Sequence, residues 1–153
     1  IQKTGYANKN LFYTRHPNKD SGAQEIPQEL WSYSSGPVAL GIAAQNLHSV
    51  IYLLGFDLGP TAENKFNNIY ADTNNYKKSS EPATYYGNWM AQTVKTINEF
   101  PQTRFIRVVE PSDFKPVELT TDLGNLTHMT YRHFFERFPS AIYSDQNDQK
   151  TTI

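Results

Sequence analysis

The stretch SGPVALGIAAQNLHSVIYLLGFD, residues 35–57, decides the fold. Ser35 is placed to cap a helix, Gly36 lets a ligand come close to the backbone, and Pro37 suits a first helical turn, where no N–H is needed. The small and apolar residues that follow predict a helix lying tightly on a sheet. The unbroken apolar run Val50–Leu54 predicts a strand that is covered on both faces.

A helix followed by a buried strand is typical of a parallel sheet flanked by helices. Ligands of such sheets bind beyond the carboxyl ends of the strands. We therefore predict a Rossmann-like α/β domain with a partly parallel sheet, in which Gly55 and Asp57 lie at the ligand-binding edge. The chain begins with Ile1 rather than Met, so we also expect that the sheet could be truncated at its N-terminal side.

Length and composition limit the function classes. With 153 residues and roughly 100–200 residues per domain, we assign one domain to residues 1–139 and a polar, flexible tail to 140–153. A net charge of −1 gives no electrostatic reason to expect nucleic acid or a membrane surface as partner. The absence of cysteine excludes disulfides and thiolate metal sites. No apolar run has the length of a membrane span, and we expect a soluble cytoplasmic protein.

Further elements follow from periodicity and breaker residues. We predict strands at 10–14, 103–109 and 117–120 and helices at 89–100 and 127–138. The last helix carries an aromatic stripe that favours a core or oligomer contact: Tyr131, Phe134, Phe135 and Phe138. His128 and His133 are five residues apart and would lie on different helix faces, so no metal site is predicted there.

Residues 58–88 form the longest segment without periodicity, and it is rich in amides and phenols. A segment of this length favours a lid, a binding loop or a partner contact over a simple surface insertion. Tyr70, Asp72 and Tyr85 lie in it as candidate site residues. His16 follows the first predicted strand and is a further candidate on the ligand edge.

The residues around the decisive stretch resemble a known family. Ser35-Gly36 and the block at 51–57 resemble the Ser-Gly … Ile-Tyr-Leu-x-Gly-x-Asp block of the bacterial family 42 sialyltransferases, and a similar block occurs in 6-hydroxymethylpterin pyrophosphokinase-like proteins. The order then continues with the segment at 70–73, which resembles their Tyr-Ala-Phe-Asp-Thr, and with Tyr85-Tyr86-Gly87-Asn88 before a helix. The resemblance spans about residues 34–126.

The resemblance implies roles for the matching positions. Ser35 and Gly36 would approach the phosphate of a CMP-sugar donor, and Asp57 and Tyr70 would lie on the nucleotide-sugar side of the pocket. Gly55 and Tyr85 belong to the same matched blocks. No cofactor is implied beyond this nucleotide-sugar substrate.

The matched position of the family's general base is different in this chain. Asn88 stands where the family keeps a histidine, and an amide cannot accept a proton from a hydroxyl near neutral pH. Loss of a general base costs about 10²–10⁴-fold in rate. A substitute base would have to come from Asp72, His16 or His128. The family's tyrosine after the Gly-x-Asp block is also replaced, by Leu58-Gly59.

Three function classes remain open after these observations. The first is a glycosyltransferase, sialyltransferase-like, that acts on a nucleotide-activated donor. The second is a binding module that sequesters or senses a phosphorylated small molecule without turning it over. The third is an assembly protein, possible as a homo-oligomer, in which the long loop and the aromatic helix form subunit contacts, because a fold does not determine a function.

Overall fold

The structure is a computed structural model, and it describes residues 13–15, 23–110, 119 and 123–139. Several predictions lie outside these residues: His16, most of the strands at 10–14 and 117–120, the N-terminal truncation and the tail at 140–153.

The described chain forms a three-stranded parallel sheet with helices on its two faces. The elements in chain order are β1 (Tyr13–Thr14), β2 (Gln24–Glu25), a 3-10 turn (Gln28–Leu30), α1 (Ser35–Gln45), β3 (Val50–Leu54), α2 (Gly87–Glu99), β4 (Arg104–Val108), β5 (Leu126–Met129) and α3 (Tyr131–Arg137). The strand order is β3-β4-β5, and β1 and β2 form a separate parallel pair. The predicted α/β class with a parallel sheet flanked by helices is confirmed, as are the helices and strands at 35–45, 50–54, 89–100 and 103–109, within two residues at their ends.

One face of the sheet packs against α1 and α2. The register aligns Ile51, Phe105 and Leu126 in one row across the three strands, and neighbours in a parallel register point to the same face. These side chains join a core that includes six buried residues: Leu40, Ala44, Leu53, Ile97, Phe105 and Leu123. The next row towards the carboxyl ends consists of Leu53, Arg107 and His128, which brings two polar side chains to the helix-covered face.

The opposite face carries the aromatic contact with α3. The ring centroid of Tyr52 lies 5.5 Å from that of Phe134 and 5.2 Å from that of Phe138, both in edge-on geometry. Such pairs add about 0.5–1.5 kcal/mol to the burial of the rings. The aromatic stripe predicted near the end of the chain therefore contacts the sheet through Tyr52, although no residue of α3 is fully buried.

Helix α1 buries one narrow stripe of small and apolar residues: Pro37, Leu40, Gly41 and Ala44. At Gly41 an added Cβ would lie 2.8 Å from a methyl carbon of the buried Leu30, so a larger residue here would force the Leu30 side chain to move. The predicted cap is wrong by one residue. Ser34 is the N-cap, its side chain makes no capping hydrogen bond, and Ser35 is already the first helical residue.

The prediction of one helix over 127–138 is wrong for its first half. Leu126–Met129 is a strand that pairs with β4, and the helix starts only at Tyr131. Thr130 accounts for the boundary, because its hydroxyl oxygen accepts a hydrogen bond from the His133 N–H at 3.2 Å and so caps α3. His128 and His133 consequently lie in two different elements.

The long segment after β3 contains no helix before α2 begins, and its pairing is limited to one isolated bridge between Lys65 and Pro82. Its role as a lid, a binding loop or a partner contact stays a prediction. An antiparallel pair of hydrogen bonds closes it into a loop: Phe66 N–H donates to Glu81 O at 2.9 Å, and Ala83 N–H donates to Asn64 O at 3.2 Å. Phe66 is buried beneath this pair. The segment therefore has a small packed centre of its own.

Two threonines in the buried face of α2 provide a test of this packing. Both side chains are buried, but Thr96 donates its hydroxyl to Gln92 O at 3.0 Å, whereas the Thr93 hydroxyl has no hydrogen-bond partner in the described part of the chain. A buried unsatisfied polar group costs about 1–3 kcal/mol. We expect Thr93→Val to raise the free energy of unfolding by about 1 kcal/mol, measured by chemical denaturation. Thr96→Val is the matched control and should be neutral or destabilising; equal effects of the two changes would contradict the assignment.

Candidate functional site

The segment Gly55–Asp57, here called the β3 turn, follows β3 at the carboxyl edge of the sheet. Gly55 has a φ of +71°, in the left-handed region where residues with a Cβ are strained. Its N–H donates to the hydroxyl oxygen of Tyr131 at 3.3 Å, at the start of α3. The predicted position of Gly55 and Asp57 at the sheet edge is thus the observed one.

The buried side chain of Arg107 holds the β3 turn in place. This arginine is 1% exposed, and its Nε donates to Phe56 O while one terminal nitrogen donates to Asp57 O, both at 2.8 Å. Burial lowers the pKa of Arg107 and the nearby charge of Asp57 opposes that shift, yet a guanidinium remains protonated at any physiological pH. Two charge-assisted hydrogen bonds therefore link β4 to the turn that follows β3.

The start of α1 lies against the same turn. A Cβ added at Gly36 would be 3.5 Å from the ring of Phe56, which is ordinary contact distance. Ser35 and Gly36 are both exposed, and neither N–H donates a hydrogen bond to another described residue. Free N–H groups and the helix dipole give this end of α1 a partial positive charge that favours an anion.

Asp57 connects the β3 turn to the long loop. One of its carboxylate oxygens accepts a long hydrogen bond of 3.5 Å from the Asn67 side-chain amide, which also donates to Gly59 O at 3.2 Å. The Asp57 side chain is half-buried. Its position is therefore fixed from two sides, by Arg107 through the backbone and by Asn67 through the carboxylate.

A cavity of about 930 Å³ runs along the outer side of α1, and Ser35 lies on its rim. Its floor is apolar, with Val38 and Ile42 of α1, while Arg15 and Tyr33 contribute polar groups. Small-molecule sites typically have volumes of about 300–1,000 Å³ and an apolar lining with a few polar groups. The cavity has the size of a small-molecule site. Of the predicted site residues in the described chain only Ser35 lines it, and at its other end it is lined by Asn46 and His48, which follow α1.

His128 lies in the same row of the sheet as Arg107, on the neighbouring strand β5. Partial desolvation of the exposed His128 side chain, and next the positive charge of Arg107, lower the pKa of His128 below its ordinary value of 6.5. The imidazole is consequently neutral at neutral pH, which is the form that can accept a proton. Of the predicted substitute bases, His128 is the one that the fold places in the row of Arg107.

Tyr70 and Asp72, the candidate site residues of the long loop, make their contacts within the loop and not with the β3 turn. Tyr70 is exposed and packs its ring on Tyr76, with 5.3 Å between centroids. The Asp72 carboxylate accepts a hydrogen bond from the Ser79 N–H at 3.1 Å, and hydrogen bonding by Ser79 lowers the pKa of Asp72. A carboxylate with a lowered pKa is a weaker base, so the geometry argues against Asp72 as the proton acceptor.

Tyr85 and Asn88 lie at the start of α2. Tyr85 is exposed, and its ring covers the place where a Cβ at Gly87 would be. Asn88 is the second residue of α2 and is exposed. No hydrogen bond or ring contact among the described residues joins Tyr85 or Asn88 to the β3 turn.

Sequence reasoning missed Arg107, although a signal was present. Arg104 and Arg107 are three residues apart in a strand, and strand side chains alternate between faces. Side chains three residues apart point to opposite faces of a sheet, so Arg104 and Arg107 could not both lie on the same face. In a sheet flanked by helices, at least one of them had to lie on a face that helices cover. Such an arginine needs buried acceptors, and the carbonyls after the preceding strand were the candidates.

Two searches of the described residues concern metals and membranes. No three His, Asp or Glu side chains converge there in a way that could hold a metal ion. None of the described helices is both long and apolar enough to cross a bilayer.

Comparison of the chain with protein-family models, curated proteins and solved structures finds no match.

The role of Arg107 can be tested against Arg104, the exposed arginine on the same strand. Arg107→Met would leave the carbonyls of Phe56 and Asp57 without their donors. Because hydrogen bonds to charged groups contribute about 1.5–3 kcal/mol each, we expect a loss of about 3 kcal/mol in the free energy of unfolding. Arg104→Met should change it by less than about 0.5 kcal/mol. Denaturant titration of both variants makes the comparison, and a tolerated Arg107→Met would show that the β3 turn does not depend on it.

Proposed function

We propose that the chain binds a phosphorylated small molecule, a nucleotide or nucleotide sugar, at the carboxyl edge of its parallel sheet. The observation that carries the proposal is the exposed start of α1, where Gly36 lies against Phe56 of the β3 turn and Ser35 lines one end of a cavity of about 930 Å³. Ligands of parallel α/β sheets bind at this edge, with phosphate at a helix N-terminus. On this proposal the α/β fold would bind its ligand as Rossmann-like folds do.

Each part of the site suits one part of such a ligand. The free N–H groups of Ser35 and Gly36 would receive a phosphate oxygen, and the lack of a side chain at Gly36 lets it approach. The Asp57 carboxylate is an acceptor for sugar or ribose hydroxyls. Arg15 on the cavity rim supplies positive charge for an anionic ligand, and Tyr33 supplies a ring on which a base can stack.

Gly36→Ala is the sharpest test of this proposal. The added methyl meets Phe56 at an ordinary 3.5 Å, so the variant should fold, but the methyl would stand in the path of the phosphate. For the wild type at a ligand concentration 100 times Kd, a stabilisation of about 2.7 kcal/mol is expected, seen as a rise in melting temperature with CMP, CDP, UDP or their sugar conjugates. The Gly36→Ala variant should lose this rise.

Gly124→Ala is the matched control, because a Cβ at Gly124 meets no atom within 4 Å. It should keep the full thermal shift. A wild type whose melting temperature does not change with any of these nucleotides would overturn the proposal. If Gly36→Ala keeps the full rise in melting temperature, the phosphate does not bind at the start of α1.

Glycosyl transfer from the bound donor is the second candidate, and it rests on His128. The neutral imidazole lies one strand away from Arg107, and so near the edge where the donor would bind, while Asn88 cannot act as a base. This version keeps the resemblance to the family 42 sialyltransferases but moves the general base from the start of α2 to β5. The alternative is a binding module that holds the nucleotide sugar without turning it over. For either function a cytoplasmic location stays a prediction.

Donor turnover separates the two candidates. For a transferase, release of CMP from a CMP-sugar should fall by about 10²–10⁴-fold in His128→Gln, while nucleotide still raises the melting temperature. A base must be deprotonated, and the pKa of His128 is lowered, so the wild-type rate should decline as pH falls, with a midpoint below 6.5. His133→Gln, on exposed α3, is the control. If nucleotide binds and no CMP-sugar is turned over, the function is that of a binding module and the transferase candidate is excluded.

A further inference from the structure

Within the described part of the chain, the outer edge of β3 is an unpaired hydrogen-bonding edge. Arg104 N–H donates to Ser49 O at 2.9 Å, and backbone groups of successive strand residues alternate between the two sides. Ile51 and Leu53 therefore direct their N–H and C=O groups towards β4. The N–H and C=O groups of Val50, Tyr52 and Leu54 point away from β4, where no strand of the described chain pairs with them.

The side chains of β3 do nothing to block pairing at this edge. Natural edge strands are usually protected by a charged residue, a proline, a bulge or a very short length. The strand VIYLL has five residues, no charge, no proline and a continuous register with β4. Leu54 remains 42% exposed at its end.

The other edge of the sheet is different. Strand β5 has four residues, its Thr127 and His128 are exposed and polar, and α3 begins two residues after it. These features are the usual protection of an edge. The unprotected position is therefore confined to β3.

We propose that β3 pairs antiparallel with β3 of a second copy of this chain across a two-fold axis, giving a continuous six-stranded sheet. The free backbone groups are arranged symmetrically about Tyr52. With Tyr52 opposite Tyr52 of the second copy, Val50 lies opposite Leu54 and Leu54 opposite Val50. All six outward N–H and C=O groups of each copy then find a partner in the other, as an isologous interface requires.

The chemistry of the strand also favours its own copy over an unrelated strand. Because β3 has no charged side chain, the two-fold axis brings no like charges together. The cross-strand neighbours on one face are Val50, Tyr52 and Leu54, which form aromatic and aliphatic pairs of the kind that stabilise antiparallel strands. On that face Tyr52 is already held by Phe134 and Phe138, so little side-chain freedom is lost on pairing.

Leu54, the last residue of β3, and Leu47, three residues before β3, are both exposed and give a matched pair for the test. Leu54→Lys places a charge at the proposed interface, whereas Leu47→Lys places the same charge at an exposed site after α1. Sedimentation velocity over a concentration series should show twice the chain mass for the wild type and for Leu47→Lys, and the mass of a single chain for Leu54→Lys. A wild type that is monomeric up to its solubility limit, or a Leu54→Lys variant that stays dimeric, would overturn the proposal.

Two further measurements do not depend on the folding of the lysine variant. Val50→Pro removes only an outward N–H at the first strand residue, where proline is tolerated, and it should also dissociate the dimer. In the wild type, amide exchange should be slow at Val50, Tyr52 and Leu54 as well as at Ile51 and Leu53. Fast exchange at the three outward amides of a dimeric sample would place the interface elsewhere. Neither result depends on nucleotide binding, so the two proposals fail independently.

Discussion

The hydrogen bonds from Arg107 to the carbonyls of Phe56 and Asp57 are the interaction on which the carboxyl edge of the sheet depends. A charged side chain in a covered position is costly unless every donor it buries is used. Here the cost is offset by carbonyl groups that the chain leaves free where it turns out of β3. The turn is consequently held by a residue about fifty positions later in the sequence.

That constraint fixes the candidate site. Once the β3 turn is held, Phe56 meets the start of α1 at Gly36, Gly55 meets Tyr131 of α3, and Asp57 meets Asn67 of the loop. Strand β4, helices α1 and α3 and the long loop thus all contact the three residues of the β3 turn. A site assembled in this way is rigid at its centre, which favours binding because little conformational freedom is lost when a ligand arrives.

The proposed ligand site and the proposed strand pairing use different sides of the same sheet. The ligand site lies beyond the ends of the strands, and the pairing uses the flank of β3, so one does not obstruct the other. Antiparallel pairing of two β3 strands would direct the two carboxyl edges towards opposite ends of a six-stranded sheet. The dimer would therefore carry two separate ligand sites rather than one shared cleft.

The sequence by itself determined the elements whose signals are local. The Pro37 position and the stripe of small residues predicted α1, the apolar run predicted β3, and Pro101 correctly ended α2. It also identified Gly55 and Asp57 as edge residues, because the end of a parallel strand is where ligands bind. These features are set by neighbours within a few residues, and propensity and periodicity report on such neighbours.

Only the tertiary structure decided the features that depend on distant partners. Residues 126–129 became a strand because β4 offers a free edge there, although their pattern continues that of the following helix. In the described part of the chain the apolar run of β3 is an edge strand, and of its five residues only Leu53 is fully buried, so the predicted cover on both faces is incomplete. An apolar pattern reports on the faces of a strand and says nothing about pairing at its side. Arg107 joined the site, and Tyr70 and Asp72 made their contacts within the loop, because hydrogen bonds between residues far apart in sequence form only when the sheet brings those residues together.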